Sequence, residues 1–462
     1  MFDSLMALIP RDADYSERTW RLEVLGRVLE GRLYEGLPFA FSDERGAGGE
    51  YIPLRMRRPA VRYPLARVVV EDSVSLVFSE GHFPTFECED VVARGVMADV
   101  AAEAGLNAVM QEAVLRGSVG SVAILMRVLR GRVFFSALPT LYLMPQWEPQ
   151  APDVLASVTE RYKVRGAELV ARGYEAVDPA VEYWFMRRWD AEREVWFQPW
   201  PVRGPGGPIE DAARTMRHGL GFVPLVWIRN LPGGDAVDGA CTFRAAIESM
   251  IEIDYQLSQA GRGLKYSSDP TLLIKEPAAV GSEIVRGAGN ALIVSEKGDA
   301  RLLEIGGTAA SAVIEYVRVL REFALESVHG NRASPEKLSG AQSGRALEMM
   351  NQGLIWLADN LRVSYGDALL RLARMVVRAS NVFPLVAMGA EVVPIGPVRW
   401  TLKWPRWQMP GAEDRERDAR TLSTLAAAGQ ISRLTAVKSI ADVYEIQDVE
   451  AEMQRIAGEA RA

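Results

Sequence analysis

HGNRASPEKLSGAQSGRALEMMNQGLIWLADNLRVSYGDALLRLARMVVRA, residues His329 to Ala379, decides how this chain is read. A short polar, basic, glycine-containing loop runs directly into a sequence with helical periodicity. Apolar or small residues recur at Leu347, Met350, Leu354, Leu357, Leu361, Tyr365, Ala368, Leu372 and Met375. Steps of three and four hold them on one face over roughly eight turns. At about 1.5 Å per residue, an unbroken helix from Ser343 to Ala379 would approach about 55 Å. Such a rod suits a large ring-forming protein better than a small enzyme core.

Upstream of the loop, the spacing predicts a helix over Ala309–Val328, carrying Val313, Val317, Leu320, Phe323 and Ala324. Another is predicted from Thr242 to Tyr266, where Phe243, Ile247, Met250, Ile251, Asp254 and Leu257 lie near one face. Between them, Pro270 to Gly307 reads as a small separate β-containing unit, with short strands TLLIK, NALIVSE and ARLLEIG. Nearer the N-terminus, residues 12 to 40 read as helical, and Ala66 to Phe78 as strand or strand–turn–strand because of its β-branched run. Asp90 caps a helix expected to reach about Arg116. The strand candidates Val122–Val128 and Val133–Phe135 flank Arg130-Gly131, a hairpin turn. More strands are expected at Val158–Val164, Val181–Trp189, Val195–Trp200, Phe222–Ile228 and Val398–Trp404. Trp184, Trp189, Trp196 and Trp200 crowd this region and read as sheet packing. From Gly411 the chain is helical and highly charged, with Gly429 as a cap and Ser432 and Asp448 starting short helices. The fold class is therefore α+β.

A chain of 462 residues implies several domains or lobes. With 48% hydrophobic and 24% charged residues, it has the composition of an ordinary globular protein. No run approaches the roughly 20 apolar residues of a membrane span, and MFDSLMALIPRDADYSERTW lacks the pattern of a signal peptide. Two cysteines, Cys88 and Cys241, set no disulfide framework and fit a reducing compartment. The net charge is −7 and the pI about 5.4. Any contact with DNA should then be loose and sequence-independent, which argues against a repressor or nuclease but not against a conduit.

Several chemistries lack their sequence signatures. The phosphate-cradling G-x-x-x-x-G-K-[ST] is absent, and GPGGP at 204–208 reads as a turn. His82, His218 and His329 are far apart, with neither HExxH nor paired CxxC, so no metal and no cofactor is expected. Glu87-Cys88-Glu89-Asp90 could bind a cation, but acids at a helix start are favoured by the dipole alone. No G-x-S-x-G elbow supports a nucleophile. The strongest functional candidates are Arg332 and Lys337 in the polar loop, whose cations could touch phosphates without reading bases. Alternatively this is a solvated loop that merely joins two helices. Arg345, at the start of the next helix, reads as structural.

Lys337-Leu-Ser-Gly-Ala-Gln-Ser-Gly-Arg-Ala-Leu, followed by Leu357-Ala-Asp-Asn-Leu-Arg and Tyr365-Gly-Asp-Ala-Leu, resembles the portal proteins of tailed bacteriophages, of the siphophage head-completion type. His218-Gly-Leu-Gly-Phe-Val-Pro-Leu-Val-Trp-Ile-Arg-Asn and Ile253-Asp-Tyr-Gln-Leu-Ser-Gln extend the likeness. Tyr51-Ile-Pro-Leu-Arg, Gly117-Ser-Val-Gly-Ser-Val-Ala and Leu425-Ala-Ala-Ala-Gly-Gln-Ile-Ser-Arg-Leu-Thr are further echoes. None is a catalytic signature, and specificity lies in their order and spacing.

The resemblance implies a non-enzymatic portal (head-to-tail connector): a dodecameric ring at one capsid vertex, channelling double-stranded DNA during packaging and ejection. It implies stem helices at 242–266 and 309–328, a clip at 267–308 and a tunnel loop at 329–342. The wing would combine 1–241 with 343–410, and 411–462 would be a short helical crown. Arg332 and Lys337 would be the channel-loop residues facing DNA. Implied partners are terminase, a head-completion adaptor, the major capsid protein and scaffold; the protein would assemble in the bacterial host cytoplasm and reside in the virion. Rival readings are a ring-forming adaptor that never docks the motor and a phage nuclease or protease.

Overall fold

The periodic stripe of the quoted stretch forms one continuous helix, Gly344–Ser380, in a computed structural model of the chain. The structure describes all residues except 176, 269–270, 278–293, 304–307, 331–343, 408–411, 442, 445, 447–448 and 460–462. From Leu354 to Ala379 the stripe is buried, and Ala358, Leu361, Tyr365, Leu369, Leu372 and Val376 are fully enclosed. Burying each large apolar side chain contributes about 1.5–3 kcal/mol, so packing rather than intrinsic propensity holds the rod.

The described residues are mixed α+β and form two compact units, Met1–Val69 with Thr242–Arg332, and Val70–Cys241 with Ala333–Ala462. In the second unit the long helix packs on strand Leu225–Arg229. That strand pairs antiparallel with Ser121–Leu129, which pairs in turn with Arg132–Pro139. The last two are the expected hairpin, and Arg130 at φ 51° opens its turn in the left-handed region that primed two-residue turns require. A larger antiparallel sheet orders strands Leu143–Glu148, Ala151–Arg165, Glu182–Trp189, Arg193–Trp196 and Met216–Arg217, with Trp200–Pro201 also on Glu182–Trp189. Trp189 is fully buried against Leu143 and Val158, so this tryptophan is sheet packing.

In the first unit, helices Ile247–Ser268 and Thr308–Ser327 pack along each other. Strands Thr271–Pro277 and Val294–Leu303 pair antiparallel between them in the chain. The expected NALIVSE strand lies partly outside the described residues. Helix Glu17–Leu29 starts at Ser16, whose Oγ accepts the Thr19 N–H at 3.2 Å. The C-terminal segment, in the second unit, contains helices Ala412–Ala427, Arg433–Ala441 and Val449–Glu459. Ser432 caps the middle one, and Asp448 lies outside the described residues.

Four expectations need correction. Ala66–Phe78 is not strand: Leu65–Phe78 is a helix. Its buried residues Leu65, Ala66, Val69, Val70, Ser73 and Val77 recur at helical spacing. The small helix penalty of each valine, under about 1 kcal/mol, is smaller than the gain from burying it. The helix begun by Asp90 does not run to Arg116; it divides into Val91–Glu103 and Leu106–Gly117, because Gly105 takes φ 59° and breaks the ladder. The helix expected over 12–40 occupies only Glu17–Leu29, and the strand at Val398–Trp404 only Thr401–Lys403, paired with Thr85–Glu87.

Candidate functional site

One hydroxyl holds the long helix near its middle. Tyr365 is fully buried, with its Oη 3.2 Å from Asn230 Oδ1 and 3.4 Å from the Ala113 carbonyl oxygen, two acceptors for one proton. Burial pushes the phenol far above its ordinary value, so it remains a donor. Asn230 donates through Nδ2 to the Ala240 carbonyl at 3.0 Å, and through its backbone N–H to the Gly120 carbonyl at 2.9 Å. A Cβ on Gly117 would overlap the Tyr365 hydroxyl and sit 3.1 Å from Val122 Cγ1. Beside it, Ser121 Oγ donates to buried Asp238 at 2.6 Å. Three segments remote in sequence thus close on a single point. One turn earlier, Arg362 stacks on Trp404 and Trp407, with its guanidinium 4.5 and 3.2 Å from the ring centroids.

In the first unit a carboxylate plays the equivalent part. Asp254 sits on the buried face of helix Ile247–Ser268, 2% exposed. Its Oδ2 accepts from the Tyr34 hydroxyl and its Oδ1 from the Tyr63 N–H, both at 2.7 Å. Burial raises the Asp254 carboxyl to about 6, although both hydrogen bonds favour the ionised form. Next along the helix, the Tyr255 hydroxyl donates to the Arg57 carbonyl at 3.0 Å, and Ser258 Oγ accepts the Val61 N–H at 3.0 Å. This helix therefore binds the 34–63 segment through polar contacts on consecutive turns.

The partner helix Thr308–Ser327 has two faces. Ala324, Leu325 and Val328 are buried, whereas Tyr316, Val319 and Phe323 form a second stripe that is exposed, Phe323 by 61%. Spacing of three and four places these residues on one line, nearly half a turn from the buried stripe.

A sequence profile for the family described as phage portal protein, SPP1 Gp6-like, matches residues 11–462. The chain belongs to that family. As a portal-family protein it is a component of the virion, where the family is structural. No curated protein matches it. Among solved structures, it is similar to a chain of the virion of a native gene transfer agent particle, with 12% identity, a TM-score of 0.41, and 81% of this chain and 88% of that chain covered. It is also similar to a chain in the neck of an empty gene transfer agent particle, with 10% identity, a TM-score of 0.42 and the same coverage.

For this portal-family chain the sequence-derived site residues fare unequally. Arg332 and Lys337 lie outside the described residues; Arg345 stands in the first turn of helix Gly344–Ser380. Of the acidic run at 87–90, Asp90 caps its helix by accepting the Val92 and Ala93 N–H groups, and Glu87 pairs with Arg94 at 3.3 Å. Among the described residues no group of three or more His, Cys, Asp or Glu side chains could hold a metal ion, and no helix is long and apolar enough to cross a membrane. The convergence of Gly117, Asn230 and Tyr365 was not read from sequence, although each falls in a motif that carries the family likeness. For Asp254 there was a local signal: an acid within an otherwise apolar helical stripe.

Two outcomes are expected. Gly117→Ala should destabilise the second unit by about 2–4 kcal/mol through overpacking, and Tyr365→Phe by about 1 kcal/mol. Because the phenylalanine removes the clashing oxygen, the double variant should be less destabilised than the two single effects summed, which a denaturant-unfolding cycle measures. The second concerns pH. A carboxyl at about 6 in the fold and 3.8 when unfolded keeps its proton longer in the folded state. That contribution is complete below the unfolded value and is lost as pH rises through about 6, a loss of about 3 kcal/mol. Asp254→Asn, which can still accept from Tyr63 and donate to Tyr34, should therefore gain stability relative to the native chain between pH 4 and 7. Parallel melting-temperature curves across that range would refute it.

Proposed function

We propose that this chain forms the ring-shaped channel at one capsid vertex through which double-stranded DNA is packaged and ejected. The observation that carries this reading is the family match over residues 11–462. It is supported by the order of elements: a helix, a small β hairpin, a second helix, and then a long helix after the polar loop. In this reading Ile247–Ser268 and Thr308–Ser327 belong to the stem, spanning 242–266 and 309–328, with a clip at 267–308 and a tunnel loop at 329–342. The wing combines 1–241 with 343–410, and 411–462 forms the crown.

The exposed stripe of Tyr316, Val319 and Phe323 faces a neighbouring copy in the ring. A heterologous contact of this sort closes when the rotation between copies divides a full turn, and twelve copies are the expected number. Terminase and a head-completion adaptor dock at the clip, and capsid protein and scaffold at the wing. Catalysis is no part of this role: the protein positions DNA while a separate motor hydrolyses nucleotide. Arg332 and Lys337 touch the passing phosphates in a sequence-independent manner.

Negative-stain electron microscopy of the purified chain should show rings with a central hole and about twelve-fold symmetry. Phe323→Glu places a charge in the proposed contact and should abolish rings while leaving the unit folded by circular dichroism. Arg332→Ala with Lys337→Ala should assemble normally but package or retain less DNA. Unchanged phage titre and DNA content in that double variant would remove the loop from the DNA path.

A further inference from the structure

The C-terminal helices of the second unit leave apolar surface that a single chain does not cover. Helices Ala412–Ala427 and Arg433–Ala441 line a groove of about 490 Å³. Its apolar floor is Ala419, Leu422 and Ala426 from the first helix, with Val437 and Ile440 from the second. Steps of three and four place each set on one face of its helix. Of these five residues only Val437 is buried, and no side chain from Arg415 to Ala427 is. Propensity alone gives a helix of this length little stability, and packing of an apolar face supplies the rest. The charged rim of the groove is Arg406, Arg415 and Arg433, with one acid, Asp418. Among the described residues none of these three arginines is in an ion pair. The polar groups of the wall, Thr421, Ser423 and Ser439, are all exposed. The lining thus holds no buried polar group of the kind that orients a small ligand, and its shape and chemistry suit an apolar helix face flanked by acids.

The chain itself carries a segment of that character. Helix Val449–Glu459 has no buried residue, and Val449, Met453 and Ile456 recur along it at steps of four and three. It bears Glu450, Glu452 and Glu459 against a single base, Arg455, which pairs with Glu452 at 3.2 Å. Its net charge is therefore opposite to that of the groove rim. Its length matches as well: the helix and the groove face from Arg415 to Ala426 each span about 16 Å. Within one chain this helix packs on Arg433–Ala441, yet none of its residues lines the groove. We propose that the groove receives helix Val449–Glu459 of a second copy of this chain. Each copy then holds its neighbour by the C-terminal helix, and both sets of uncovered apolar residues are buried together. Groove and helix are different surfaces, so the contact is heterologous and can repeat from copy to copy. That the repeat closes into a ring rests on the portal reading; the pairing of groove and helix does not.

The test is cross-linking of the full-length chain in a background of Cys88→Ser and Cys241→Ser, which removes both native thiols. Two forms that differ in size by a tag, one with Ala426→Cys and the other with Met453→Cys, are co-expressed and treated with a short bismaleimide. The expected product is a mixed dimer with one chain of each size, and the chain carrying both cysteines should give a ladder of longer oligomers. Ile456→Cys in place of Met453→Cys probes the same helix face should the first variant fold poorly. Adding Arg415→Gln and Arg433→Gln should lower the yield of mixed dimer at least about threefold while circular dichroism stays unchanged. Absence of the mixed dimer overturns the proposal, as does a link formed only within single chains, in which the helix fills its own groove. An unchanged yield in the glutamine variant overturns the role given to the rim. Rings are scored by electron microscopy in the same samples. Rings without mixed dimers sink this contact alone, whereas mixed dimers without rings uphold the contact and sink the portal reading.

Discussion

A helix of 37 residues can slide or rotate on a purely apolar bed, because hydrophobic contact has no preferred direction. The Tyr365 hydroxyl removes that freedom. Its acceptors, the Asn230 side chain and the Ala113 carbonyl, belong to segments whose own backbones are tied through Gly120 and Ala240. A shift by one residue would bury the hydroxyl without a partner, at a cost of about 1–3 kcal/mol. Register along the rod, and with it the seating of strand Leu225–Arg229, depends on this directional contact more than on any one leucine. Gly117 is the complement, since the hydroxyl occupies the space its side chain would need.

Asp254 illustrates a different compromise. Burying a carboxylate is costly, and among the described residues Asp254 accepts from two donors, neither of them cationic, so the group stays easily protonated. The benefit is specificity: Tyr34 and Tyr63 can satisfy their polar groups only if the 34–63 segment lies in one register on helix Ile247–Ser268. Both units thus use the same device, an apolar helix face interrupted by a single polar group that fixes its position.

Local patterns made much of the fold legible. The leucine stripe gave the long helix almost to the residue, and Arg130-Gly131 between alternating strands gave the hairpin. Each depends on neighbours in sequence. Leu65–Phe78 was misread because its valines favour strand locally, while burial of one helical face, a non-local fact, decides the outcome. The Gly117–Asn230–Tyr365 contact could not be read at all, since its members are more than a hundred residues apart and none is unusual where it stands. The order of helix, strand pair, helix and long helix was readable, and Arg332 and Lys337, the residues expected to contact DNA, lie outside the described part of the chain.

The net charge of a chain built of two units has a practical corollary. A pI of about 5.4 describes the sum over the molecule, whereas a chromatographic resin or a carbon support meets one surface at a time. Retention on a resin therefore follows the surface that meets it rather than the pI alone.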